Sequence, residues 1–296
     1  MRDSAPLGAI VIAAHNEAMV IGRCLDALEQ VVVTGEVQVV VVCNGCVDNT
    51  AQIARRRARV EVVELEVASK AAALRDGDRI AAHGPRIYLD ADVVLTARAA
   101  RDVLTALTEG PALAARPPIL FDTSGAHWAV RTWYAIRRRL PSIQNALWGA
   151  GTYALSVAGR ARFGEFPDVV SDDLFVDSLF AESEVAIVRT DPVTVHTPKA
   201  TGDLLRILIR TYRTQGDVMR EERAGAMSVG QRGQLRDIAA LVGRHPRFTI
   251  AAAIYVALIA TARIRTRLGS SSAAWERDNS SRAHSAPVEG EHYERP

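Results

Sequence analysis

The sequence predicts an α/β fold: a mixed, mostly parallel sheet flanked by helices, followed by a C-terminal helical extension. Three observations carry that reading. From Gly8 onward short β-branched runs alternate with longer helical patterns, the order that βαβ units produce. Apolar residues make up 48% of the 296, enough for a sizeable core. The chain also turns polar just past several of the expected strands, which is where a doubly wound sheet collects its ligands.

Taken in order, Ala9–Ala13 reads as a buried strand, Glu17–Gln30 as a helix, and Val37–Cys43 as a valine-rich strand. A helix over Asn49–Ala58, a strand over Val60–Val67, a helix over Ser69–Ala82 and a strand over Arg86–Leu89 follow. Arg98–Thr108 continues as a helix, and Ala112–Arg116 is a strand stopped by Pro117 and Pro118. The middle is less regular. Trp128–Leu140 looks helical, Gly149–Tyr153 is Gly-rich, Ser171-Asp172-Asp173 opens a helix through Phe180, and Val185–Arg189 is a strand.

Residues 1–200 are read as one domain and 201–268 as the extension, with a disordered tail over 269–296, where Ser, Pro and charge show no periodicity. In Leu204–Arg223, Leu205, Leu208, Ile209 and Tyr212 share one face and Arg206, Arg210 and Arg213 lie about 100° away, so the helix needs an apolar partner. Phe248–Ala262 is uncharged between Arg247 and Arg263. Its 15 residues rise about 22 Å as a helix, short of a roughly 30 Å hydrocarbon core. Lying in a membrane interface, or packing on the protein, fits better than a span.

Charge is nearly balanced, 36 basic against 34 acidic residues for +2, which argues against a nucleic-acid partner. Only two of the cations are lysines, Lys70 and Lys199, so each merits attention. No secretory pattern precedes Cys24, Cys43 and Cys46, and a cytoplasmic location is expected, with a peripheral site at the inner face of a membrane left open. Cys43 and Cys46 have C-x-x-C spacing but no second pair of ligands, so they read as small residues around a turn.

Four strand ends are polar: His15-Asn16-Glu17, Cys43 through Asp48, the approach to Lys70, and Asp90-Ala-Asp92. In extended chain, residues two apart face one side, so Asp90 and Asp92 are placed to share a hard cation that bridges phosphate oxygens. The bland alternative is a strand-end turn whose aspartates cap the next helix. Lys70 opens a helix, where an ammonium adds to the anion preference of the N-terminus. Asn44-Gly45 suits a tight turn, Glu17 a helix start, and Asp172 and Asp173 a cap, yet a carboxylate in an enclosed cleft also serves as a proton acceptor. His196, after a strand, is either structural or, among carboxylates, a Mn²⁺ ligand.

The order of these pieces is similar to the inverting glycosyltransferases of family 2, which have a GT-A fold. The matching stretches are Val11–Glu17, Val40–Thr50, Lys70–Leu74, Tyr88–Asp92, Gly149–Tyr153 and Ser171–Phe175, within Gly8 to Arg213. The resemblance implies transfer of one sugar from a nucleotide-sugar donor to an acceptor hydroxyl. It places Ala14 and Glu17 at the nucleotide, Asn44 near the base and Lys70 at the donor. Asp90 would meet the ribose or a metal-bound water, Asp92 would bind Mn²⁺ or Mg²⁺ at the diphosphate, and His196 matches a metal ligand of some relatives. Asp173 would be the general base.

Departures accompany the match. Cys43-Asn-Gly-Cys46 stands where many members carry consecutive aspartates, the acidic pair is Asp-Asp, and Arg210-Thr-Tyr-Arg213 only partly echoes the signature of polymerising members. Single addition is therefore expected, and a lipid-linked acceptor would suit a membrane site. The rival readings are a catalytically silent relative that binds a nucleotide or membrane as a partner subunit, and a sugar nucleotidyltransferase. Intact Asp90, Asp92 and Asp173 argue against the first, and the lack of a Gly-rich loop after the first strand against the second.

Overall fold

A computed structural model describes residues 5–81, 84–169, 171–221 and 227–268, so the expected tail lies outside the described residues. The first half alternates as read: β1 (Ala9–Ala14), α1 (Ile21–Val33), β2 (Gln38–Asn44), α2 (Thr50–Arg55), β3 (Val60–Leu65), α3 (Lys70–Ile80), β4 (Arg86–Asp90) and α4 (Ala97–Glu109). After it come β5 (Ala114–Arg116), β6 (Ile119–Asp122), α5 (Trp128–Arg137), α6 (Pro141–Gln144), β7 (Thr152–Leu155), α7 (Val157–Arg160), α8 (Asp172–Ser178), β8 (Val185–Ile187) and β9 (Val193–His196). The last helices are α9 (Thr201–Glu221), α10 (Met227–Arg244) and α11 (Thr249–Leu268).

Seven strands form one sheet in the order β3-β2-β1-β4-β7-β5-β8, parallel except for β7, which runs antiparallel to β4 and β5. The chain builds outward from β1 through β2 to β3 and then returns to place β4 on the other side of β1. That reversal opens a crevice at the carboxyl ends of β1 and β4. A second, two-stranded sheet pairs β6 with β9 in parallel.

Alternation along β1 divides the core. Ile10 and Ile12 pack with α1 and α4 through Leu25, Leu28, Val103 and Leu104, while Val11 faces the other way towards Leu74, Tyr88, Tyr153 and Phe166. Helix α1 begins four residues later than expected, because the Glu17 carbonyl accepts from the Val20 and Ile21 N–H groups and closes a turn first. Helix α3 starts where Ser69 caps it, its Oγ accepting from Ala72 N at 3.2 Å.

The extension packs a third cluster. Leu204 and Leu208 of α9 and Tyr255, Ala252 and Ala262 of α11 bury against Trp133 and Val130 of α5, with Tyr255 stacked on Trp133 at 5.1 Å. The expected apolar face of α9 is that contact. The uncharged run is 15 residues, but the helix that carries it is longer: α11 runs 20 residues, since Arg263 and Arg265 end the run and continue the helix. Pro246–Thr266 is long and apolar enough to cross a membrane by length and composition, with a mean hydropathy of 1.5 over its most apolar 18 residues. One side of α11 is held by the protein, while Ile250, Val256 and Ile264 on it are exposed.

Candidate active site

The crevice is built from strand ends. β4 delivers Asp90, α3 delivers Lys70, β7 delivers Tyr153, and the first turn of α8 delivers Asp172 and Asp173. These residues line one small cleft with Leu74 and Gly151.

Lys70 is its electrostatic centre. Its Nζ donates to Asp90 Oδ1 at 2.7 Å and stands 2.7 Å from Asp172 Oδ1. Loss of water works against the ammonium, but Asp172 and then Asp90 overcome it and hold its pKa well above the ordinary lysine value. Asp172 is buried and its other oxygen, Oδ2, accepts from the Tyr153 hydroxyl at 2.9 Å, so both of its oxygens are engaged. Asp90 is pushed up to about 6, first by desolvation at the cleft floor and then by Asp172 and Asp92, against the pull of Lys70.

Asp173 is held differently. Its Oδ2 accepts from Gly149 N at 2.9 Å and its Oδ1 from Leu174 N at 2.8 Å, and no ion pair reaches it among the described residues. Burial foremost, then the charge of Asp172, raises its pKa above the usual carboxylate value despite Lys70 and the two N–H donors. A partly exposed carboxylate made more basic in this way is suited to accept a proton.

The aspartates at 90 and 92 do not lie along one extended strand. The Asp90 carbonyl accepts from Val93 N at 3.1 Å, so the chain turns directly after β4. Asp90 is left with Lys70, while Asp92 is exposed and makes no hydrogen bond or ion pair among the described residues. Gly151 secures this corner: its φ is +64°, its carbonyl accepts from Asp90 N at 2.8 Å, and a Cβ there would lie 2.4 Å from Val93 Cγ2.

His196 ends β9 and stands 3.2 Å from Asp122 Oδ2 through Nδ1. An isolated antiparallel bridge pairs Val94 with Thr194, and Asp92 and His196 each lie two residues from it in the chain. Among the described residues no group of three or more His, Cys, Asp or Glu side chains converges on a point. A hard cation that keeps water and substrate phosphate ligands needs only one or two protein carboxylates, and exposed Asp92 has the chemistry of such a ligand.

The other expected residues brace the crevice. Asn44 is buried at the end of β2 and its Nδ2 donates to Ala14 O at 2.9 Å, clamping β2 to β1 from within. Ala14 is likewise buried. Glu17 N donates to Thr50 Oγ1 at 2.7 Å, and Ala18 N to Asp48 Oδ2 at 3.2 Å, which ties the loop after β1 to the start of α2. The turn expected at Asn44-Gly45 is there, with Gly45 at φ +56° and no room for a Cβ beside Ala68. Cys43 and Cys46 are free thiols.

Sequence reasoning did not find Tyr153 as a partner of Asp172, nor the division of labour between the two aspartates. It also missed Arg116, fully buried, whose guanidinium donates to the carbonyls of Ala146, Pro117, Ile143 and Gln144 and so sets the chain that leads to Gly149. A lone arginine before two prolines gave no signal of that role.

A profile described as "Glycosyl transferase family 2" matches residues 9–161, just over half of the chain. The chain belongs to that family. This family-2 enzyme is a nucleotide-sugar glycosyltransferase, and the matched region stops short of Asp172 and Asp173. Its fold is similar to that of the mannosyltransferase PcManGT from Pyrobaculum calidifontis, at 18% identity and a TM-score of 0.61 over 90% of this chain and 88% of that one. It is also similar to residues 1–349 of S. aureus TarS, at 13% identity and a TM-score of 0.50 over 88% and 91% of the two chains. Among curated proteins none matches the sequence.

Proposed function

We propose that this glycosyltransferase moves a single sugar from a nucleoside-diphosphate donor to an acceptor hydroxyl with inversion at the anomeric carbon, Asp173 being the general base. The observation that carries the reading is the contrast between the paired aspartates. Asp172 is consumed by Lys70 and Tyr153, whereas Asp173 is fixed by two backbone N–H groups, has no ion pair among the described residues, and is raised in basicity inside the same cleft as Asp90.

In the proposed step Asp173 accepts the proton of the acceptor hydroxyl as its oxygen bonds to the anomeric carbon. The bond to the donor's diphosphate breaks on the opposite side, and the diphosphate leaves with the electron pair. Lys70 stays a fixed cation because both of its partners hold it protonated, and it keeps Asp90 and Asp172 from repelling the departing anion. Asp92 with His196 would hold a divalent ion, which supplies neutralising charge at the diphosphate. The PcManGT structure contains GDP-Man and Mn²⁺, which makes that pair the first probe to try here.

A membrane surface is the proposed place of work, with a lipid-linked acceptor approaching from the side of α11. The exposed apolar residues of that helix support this, as do Arg244 and Arg247 at one end of it and Arg263 and Arg265 at the other.

Release of nucleoside diphosphate from a donor panel in Mn²⁺ tests the chemistry. Asp173→Asn is expected to lose on the order of 10²-fold or more in turnover while donor binding persists, as removal of a general base does. Asp92→Ala is expected to lose Mn²⁺-dependent donor binding. Undiminished turnover in Asp173→Asn would remove the base, and α-to-α retention seen by NMR of the product would remove inversion.

A further inference from the structure

Beside the anchor of Asp173 stands a cation that the proposed transfer does not use. Arg137, the last residue of α5, lies between two indoles, its guanidinium carbon 5.1 Å from the Trp133 ring and 4.9 Å from the Trp148 ring. Such stacking fixes the plane of the fork before any ligand arrives. The guanidinium also reaches Gly149: a Cβ at that glycine would lie 3.2 Å from Arg137 Nη2. Gly149 is the residue whose N–H holds Asp173 Oδ2. The cation and the proposed base therefore lie beside one short stretch of backbone.

Several arginines here are neutralised by carboxylates, and among the described residues Arg137 is not. Arg86 and Arg160 share Asp78, Arg101 takes Glu36 and Arg162 takes Glu184, all within 2.7 Å. Arg137 is part-buried among rings, and no carboxylate lies within ion-pair distance of it among the described residues. Its polar neighbour is the Tyr255 hydroxyl, which is neutral. A second guanidinium adds to the imbalance. Arg263 of α11 stands 5.1 Å over the Tyr212 ring, in the field of Arg137 at the same tyrosine, and it too lacks a carboxylate partner among the described residues. The cluster's donors outnumber its acceptors as well, since Trp133 Nε1 is buried with no acceptor among the described residues. Two cations and a surplus of donors call for an anionic oxygen ligand.

We propose that Arg137 and Arg263 bind a phosphate group carried by the acceptor, next to the hydroxyl that Asp173 deprotonates. This rests on the transfer reading above and names the class of acceptor it serves. The guanidinium already stands over two indoles, Trp133 and Trp148, so these rings are engaged by the cation and not left as an open platform for a sugar ring. A carboxylate spends its two oxygens on one planar fork, whereas a phosphate keeps a further oxygen for a second guanidinium off that plane. Tyr255 and Arg263 belong to α11, the helix with the exposed apolar side, so a lipid phosphate and a soluble phosphate ester both have a route to Arg137.

The test uses the full chain and two probes: sn-glycerol 3-phosphate in solution, and phosphatidylcholine vesicles with and without phosphatidic acid. Wild type is expected to bind at least one probe saturably, and the arm that responds identifies the source of the phosphate. Arg137→Met is expected to weaken that binding at least tenfold and Arg263→Ala at least threefold. Arg263 is exposed, so its variant carries the test if Arg137→Met does not fold. Binding of neither probe by wild type, or wild-type affinity in Arg263→Ala together with any folded Arg137→Met, overturns the proposal. Melting shifts with GDP or UDP and Mn²⁺ on the same preparations separate the two readings. A nucleotide shift without phosphate binding removes only this proposal; phosphate binding without a nucleotide shift removes the donor reading.

Discussion

Lys70 stands between two carboxylates that nothing else neutralises to the same degree, so deleting its charge leaves Asp90 and Asp172 facing one another. Breaking a fully buried pair costs about 3–5 kcal/mol. A third of the Lys70 side chain is exposed, which reduces the expected loss for Lys70→Met to about 1–3 kcal/mol. Urea denaturation at pH 7 measures it, and Asp172→Asn added to Lys70→Met should restore part of the loss by removing one of the stranded charges. A wild-type midpoint in Lys70→Met would show the triad to be dispensable for folding. At this scale the sequence drew attention to Lys70 because lysine is so rare here, and to Asp90, Asp92 and Asp173 by their spacing. What it could not contain is direction. Nothing in Ser171-Asp172-Asp173 says that the first aspartate turns to Lys70 and Tyr153 and the second to the Gly149 N–H, because those partners come from α3, β7 and the loop before β7.

One carboxylate joins three elements. Asp78 of α3 accepts from Arg86 and the Tyr88 hydroxyl of β4 through Oδ1, and from Arg160 of α7 through Oδ2. Burial resists ionisation there, but the hydrogen bonds from Arg160 and Tyr88 and the charges of Arg160 and Arg86 prevail, so its pKa lies below the usual aspartate value. The sign follows directly. With the folded pKa depressed, the ion contributes its full stability above the unfolded value of about 3.9 and loses it as pH falls through the folded value. Asp78→Asn should therefore cost about 1–3 kcal/mol at pH 7, with the gap to wild type closing below about pH 4. A gap that stays constant from pH 7 to pH 3 would remove the ionic contribution. The elements joined here were not equally legible. β1 to β4 and the helices between them follow local periodicity and were read to within a few residues. β7 is four residues long, follows a Gly-rich loop, and is antiparallel in a parallel sheet, so only its long-range pairing with β4 and β5 defines it. β6 and β9 depend on each other in the same way, and α10 carries glycines at 230, 233 and 243 that weaken any helical pattern.

The whole molecule presents one asymmetry that its near-neutral charge conceals. Arg139 and Arg247 both stack on Phe248, at 4.6 and 5.1 Å, and Arg138 adds its field, so like charges gather where α11 begins. From there α11 shows Ile250 at 76% exposure and Ile264 at 56%, while Tyr255 and Ala262 anchor its other side. Burying one isoleucine is worth about 1.5–3 kcal/mol, and each Arg near an anionic bilayer adds about 1 kcal/mol. The sum exceeds what a surface encounter alone would give. The full chain should accordingly co-sediment with phosphatidylglycerol-containing vesicles and less with phosphatidylcholine alone. Raising the salt should weaken the first without abolishing it, because the apolar part is unscreened. Ile250→Asp combined with Ile264→Asp should reduce binding at least tenfold at little cost to folding, since both side chains already face outward. If that double variant binds as wild type does, α11 is not the docking face, and a lipid-linked acceptor would need another approach to Asp173.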